Sequence, residues 1–172
     1  MHAIQLTRHG GPEVLDYTDV PSPTPGPRQV LVKIEAIGVN FIDTYFRTGA
    51  YPHPLPFIPG CEVCGLVTEV GSDASGFRVG DRVATADTDG TYAEYCVANV
   101  DLTAHVPAGI SPQVAASALL KGETSQLLIT SVYGVKPGDT ILVHAGAGGV
   151  GLILDPPMYR LVAGCRNEES AL

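Results

Sequence analysis

At 172 residues with a formal charge of −8 and no run of Lys or Arg, the chain repels nucleic acid and anionic membrane, so neither is an expected partner. No apolar stretch approaches the ~18 residues that cross a bilayer, and the opening Met1–Arg8 matches neither a secretory signal nor a transit peptide, so a cytoplasmic chain is expected. Hydrophobic content of 45% supports a sizeable core, while 20 Gly and 14 Pro favour a turn-dense β architecture over a helical bundle.

In chain order, strands are predicted over Ala3–Thr7 and Val14–Val20, flanking the turn Arg8–Pro12. The proline-rich stretch Pro21–Pro27 must be an extended connection, since it lacks the donors of a helix or a central strand. Gln29–Ile37 alternates, with Val30, Val32, Ile34 and Ala36 on one face of a half-buried strand. A short helix is expected over Asn40–Arg47, ended by Thr48-Gly49, and a proline-stiffened loop over Tyr51–Gly60. Further strands fall at Gly65–Val70, Asp81–Thr85, Tyr92–Val97 and Thr103–Val106, spaced as in a barrel or sandwich. From Ser111-Pro112 the pattern changes to two helices broken at Lys121-Gly122, then a turn at Lys136–Asp139. A β-rich module followed by the opening of an α/β module is a two-domain plan.

The sharpest motif lies at the end of that plan. Thr140–His144 is an apolar strand that runs into Gly146, Gly148 and Gly151, a G-x-G-x-x-G turn followed by Val150-Gly151-Leu152-Ile153. Glycines there permit a tight turn and close backbone approach to a dinucleotide pyrophosphate, whose charge sits at a helix start. His144, inside the strand, reads as a core histidine.

Four cysteines are too few for a disulfide scaffold in a chain of this length. Cys61-Glu62-Val63-Cys64 has C-x-x-C spacing, but no second pair completes a zinc knuckle, and the motif enters a strand rather than a helix. Residues three apart in a strand face opposite ways, so both thiols are read as small buried groups.

The stretch Gly38-Val39-Asn40-Phe41-Ile42-Asp43-Thr44-Tyr45-Phe46-Arg47-Thr48-Gly49 resembles the N-terminal signature of the zinc-independent medium-chain dehydrogenase/reductases, the NADPH:quinone oxidoreductase or zeta-crystallin-like family. Pro59-Gly60 with Glu62 and Gly65, Gly80–Val83, Leu120-Lys121-Gly122 with Thr124, and Ala145–Leu152 continue the resemblance in order. The resemblance implies a GroES-like β-barrel N-terminal domain followed by the start of an α/β Rossmann domain. NADPH would lie in the cleft between them and pass hydride to a quinone or other electron-poor alkene or carbonyl. On that plan residues 1–110 are the barrel domain, and 111–172 a helical connection and incomplete dinucleotide-binding domain with an atypical tail at 154–172. Zinc alcohol dehydrogenases of the same plan place a Cys ligand where this chain has Asn40 and a His where it has Cys61. An amide is a poor zinc ligand, so no metal is expected.

The same resemblance implies the site. Asn40, Asp43, Tyr45 and Arg47 would form the catalytic set near the nicotinamide, with Asn40, Tyr51 and Pro52 also toward the cofactor. Asn40 and Tyr45 would hydrogen-bond the carboxamide or an acceptor oxygen, while Asp43 would orient Arg47; without the resemblance, Asp43 and Arg47 read as a solvated i,i+4 helix pair. Thr124 would contact nicotinamide or phosphate, its plain alternative being a helix-start hydroxyl. Gly148, Gly149, Val150 and Gly151 would carry the pyrophosphate.

After Ile153 the resemblance ends. Leu154–Pro157 interrupts the helix, leaving fewer than two turns. Tyr159–Cys165 has the composition of a second strand, and Glu168 stands at the spacing of a ribose-binding acid without the helix that would place it. C-terminal truncation is therefore expected, with self-association or homo-oligomerisation through an incomplete sheet. The competing reading is a non-catalytic remnant or partner-binding GroES-like module.

Overall fold

The computed structural model describes residues 1–154, together with the backbone of 160–164. It divides into two compact units, Met1–Leu119 and Leu120–Leu172.

In the first unit, β1 (His2–Gln5) pairs antiparallel with β2 (Asp16–Asp19). The second strand starts later than predicted because Pro12–Val14 closes a 3-10 turn, with Pro12 supplying a φ suited to its first position. Strands β3 (Gln29–Gly38), β4 (Glu62–Val70), β5 (Arg82–Thr85), β6 (Tyr95–Asn99) and β7 (Ala104–His105) form one antiparallel sheet, ordered β6-β3-β4-β5-β7. The predicted strand at Tyr92–Val97 slips to Tyr95–Asn99. Residues 91–94 bond elsewhere: Tyr92 N–H donates to the Pro59 carbonyl, and Glu94 N–H to that of His2.

Val30, Val32, Val63, Val67, Val83, Cys96 and Ala98, from the inward faces of β3, β4, β5 and β6, make the main core together with Ala74 of the loop before β5. Leu6, Val14 and Phe57 form a second cluster, in which Leu6 bridges to Phe57. Helix α1 (Phe41–Thr48) leaves β3 after Val39 and stops at Gly49, whose φ of 80° is the left-handed value glycine adopts without strain.

In the second part of the chain α2 spans Pro112–Gln126 and continues as a π-helical segment, Leu127–Val132. The predicted break at Lys121-Gly122 does not occur. A lone glycine lowers helix stability without ending it. Strand β8 (Thr140–His144) runs through the glycine turn into α3 (Gly149–Ile153), and β9 (Arg160–Gly164) pairs with β8 in parallel. Thus α3 is as short as the prolines demand, and the second predicted strand forms. His144 is exposed rather than core, because β8 has a strand on one edge and buries none of its own side chains.

Candidate functional site

Asn40 is the cap of α1, with extended backbone at the end of β3 (φ −128°, ψ 153°). Its backbone N–H donates to Asp43 Oδ2 at 2.9 Å, the return half of a capping box. Its side-chain Nδ2 donates to Glu62 Oε2 at 2.8 Å, on β4 beside it. Asp43 Oδ2 also accepts the Tyr92 hydroxyl at 2.9 Å. Asn40, Asp43 and Glu62 are all buried, Glu62 completely. Burial first, then the Asp43 charge and the bond to it, push the Tyr92 hydroxyl well above the usual tyrosine range.

The expected Asp43–Arg47 pair does not form. Asp43 sits at the third helical position and turns back to the helix start, whereas Arg47, a turn later, donates through Nε to the Gly10 carbonyl at 3.3 Å. Gly10 N–H in return donates to the Arg47 carbonyl at 3.1 Å. Arg47 therefore ties the Arg8–Pro12 turn to α1.

Tyr45 and Tyr51 stand together on the outside of α1, ring centroids 5.1 Å apart, and Phe41 meets Tyr45 edge-on at 5.4 Å. All three rings are exposed, which makes this an aromatic surface beside a buried polar cluster. Cys61 is half-buried and Cys64 and Cys96 are buried, all as free thiols. Burial is the first cause that raises each from 9.0, to about 11 for Cys61 and Cys64 and about 12 for Cys96. Among the described residues no group of three or more His, Cys, Asp or Glu is placed to hold a metal ion.

The remaining predicted residues lie in the second unit. Gly148 caps α3, and its N–H donates to the Ala145 carbonyl at 2.8 Å, closing the turn. A Cβ on Gly151 would lie 2.5 Å from the Gly146 carbonyl oxygen, and one on Gly149 would lie 2.9 Å from Lys121 Cδ. Gly151 is thus required by close backbone approach, whereas at Gly149 the flexible Lys121 side chain can give way. Val150 is half-buried in the first turn of α3. Because α2 is unbroken, Thr124 lies inside it rather than at a helix start, and its hydroxyl donates to the Leu120 carbonyl at 2.8 Å. Glu168 lies outside the described residues.

Two members of the polar cluster were not singled out from the sequence as site residues. Glu62 entered only as part of a motif, and Tyr92 read as the start of a strand. The available signal was the glycine opposite each. A Cβ on Gly38 would collide with the Glu62 carboxyl, and one on Gly60 with the Tyr92 ring.

Residues 26–108 match the family described as the alcohol dehydrogenase GroES-like domain. With the β-turn-α-β opening that follows, this is the barrel-then-Rossmann class expected from the sequence. By sequence and by fold the chain is similar to the quinone oxidoreductases. It is 50% identical over 151 residues to the quinone oxidoreductase of Pseudomonas aeruginosa, an alignment spanning 87% of this chain and 46% of that protein. A mycobacterial protein solved as its NADPH complex superposes with a TM-score of 0.93 at 54% identity, over 99% of this chain and 55% of that one. The Escherichia coli quinone oxidoreductase complexed with NADPH gives 0.94 at 38% identity, over 99% and 54%. The chain spans about half the length of the curated relatives it matches. No helix among the described residues is long and apolar enough to cross a membrane.

Proposed function

We propose that the chain is an NADPH-dependent reductase of quinones or other electron-poor alkenes and carbonyls, with residues 1–110 as its acceptor-side domain and 111–172 as its cofactor-side segment. The observation that carries this reading is the glycine turn. At Gly151 the Gly146 carbonyl leaves no room for a side chain, which keeps the turn tight where a pyrophosphate would meet the backbone. That fits the NADPH bound in the two solved homologues. Gly148, Gly149, Val150 and Gly151 would hold the phosphates, with Thr124, Asn40 and Tyr51 contributing further contacts.

Bound NADPH would supply a hydride, so the protein needs no nucleophile of its own. Asn40 and Tyr45 would hydrogen-bond the carboxamide or acceptor oxygen, on a helix start fixed by Asp43, while Arg47 holds the helix end. Three free thiols among the described residues support the cytoplasm as the compartment. Quinone-dependent oxidation of NADPH by the purified chain tests the proposal. Turnover that falls in Tyr45→Phe supports it, and no turnover with any quinone contradicts it.

A second reading, a partner-binding or self-associating module without catalysis, draws on one observation. Leu127, Leu142 and Leu152 of the second unit are 54%, 61% and 69% exposed, apolar side chains of the kind proteins cover with a partner.

A further inference from the structure

Glu62 is fully buried on a central strand, where Val or Ile would fill the same space and suit the sheet better. A carboxyl group taken out of water is costly unless hydrogen bonds compensate it. Here one of its oxygens accepts the Asn40 side-chain Nδ2 at 2.8 Å. Only the NH2 end of an amide can donate, so this bond holds the Asn40 amide the same way round as the capping box, in which the side chain accepts the Asp43 backbone N–H. Tyr92 does the corresponding work for Asp43, its hydroxyl donating to the same Oδ2 that accepts the Asn40 backbone N–H.

The sheet and loop make room for both groups. Gly38, opposite Glu62 in the β3–β4 register, has no side chain that would displace the carboxyl, and Gly60, with φ 93°, stands against the Tyr92 ring. The chain of bonds runs Glu62, Asn40, Asp43, Tyr92 and joins β4, the cap of α1, its first turn and the residue before Ala93. All of it lies inside the first unit.

We infer that Glu62 and Tyr92 are the positioning residues of the candidate site: Glu62 sets the orientation of the Asn40 amide, Tyr92 sets the Asp43 carboxylate, and together they fix the start of α1. The inference rests on the reading of Asn40 and Asp43 as site residues given above. It adds two side chains that act through them and need touch neither cofactor nor acceptor.

The test compares Glu62→Gln, Glu62→Leu and Tyr92→Phe in the full chain, by site-resolved amide exchange and by NADPH titration. Gln keeps an acceptor for Asn40 Nδ2 at unchanged shape, whereas Leu does not. Glu62→Leu and Tyr92→Phe are expected to speed exchange of the Asn40 amide roughly 10-fold relative to Val67 of β4, and to weaken NADPH binding by a similar factor. Glu62→Gln is expected to stay within about 3-fold of the parent in both. Unchanged Asn40 exchange in Glu62→Leu and Tyr92→Phe overturns the inference. So does exchange that rises equally at Asn40 and Val67, which marks a general loss of stability. Should Glu62→Leu fail to fold, Tyr92→Phe, which removes a single oxygen, decides through the same ratio. A parent chain that binds no NADPH contradicts the proposed function, while the exchange ratio still decides the positioning role.

Discussion

Gly38 is the residue on which the buried cluster turns. An added Cβ would meet both the Glu62 carboxyl and the Ala116 carbonyl oxygen, and the backbone oxygen cannot swing aside. Gly38→Ala should therefore cost about 1–3 kcal/mol as an overpacked site, read as a lower denaturant midpoint at unchanged slope. The thiols give a second prediction. Their folded pKa values are raised, so the folded chain keeps Cys61, Cys64 and Cys96 protonated where the unfolded chain has begun to lose protons. Stability from this source is complete below pH 9.0, the unperturbed value, and is lost as pH rises through about 11. Unfolding titrations should give a profile that is flat up to about pH 9.0 and declines from there to about 11, with the decline reduced in Cys96→Ala; a decline setting in on the acid side of neutrality would have another source. Residue roles were the least legible part of the sequence. The resemblance singled out Asn40 and Asp43, but not that Asp43 bonds backward to the helix start instead of forward to Arg47. Side-chain direction at a capped helix depends on the cap geometry, which a one-dimensional pattern does not carry.

At the scale of elements the pattern reading works where one periodicity governs and fails where partners compete. β3 alternates cleanly and forms as expected, and α1 ends at its glycine. Tyr92–Glu94 looks like a strand yet bonds to Pro59, His2 and Asp43, long-range partners invisible in a local window. In α2 the Lys121-Gly122 pair looked like a break, and the helix runs through it. An added Cβ on Gly122 meets nothing within 4 Å, so Gly122→Ala should stabilise by about 0.5–1 kcal/mol. A raised melting temperature checks this; a lowered one would mean that the helix opens at Gly122 in solution. Leu6, fully buried against Val14 and Phe57, ties β1 to the loop before β4. Leu6→Ala should destabilise by about 2–5 kcal/mol, measured by the same denaturant titration.

The whole molecule joins a β unit with its own buried core to a second unit whose strand β8 leaves an apolar side chain at the surface. Parallel sheets are normally covered on both faces, and Leu142, 61% exposed in the middle of β8, is not. Concentration-dependent association is expected in sedimentation, and Leu142→Glu should reduce it. A parent chain that stays monomeric across the whole concentration range would contradict that reading. The barrel-then-Rossmann plan was legible from motif order alone, because glycines at a phosphate turn and at close strand contacts leave marks in sequence that few alternatives imitate. The central claim is that the glycine turn of this chain still forms a dinucleotide site. Fluorescence titration of the purified 172-residue chain with NADPH tests it most directly. Saturable binding in roughly the micromolar range, weakened when Gly151 is replaced by Val, is the predicted result. No binding up to about millimolar cofactor would contradict the account and leave the homology without the activity.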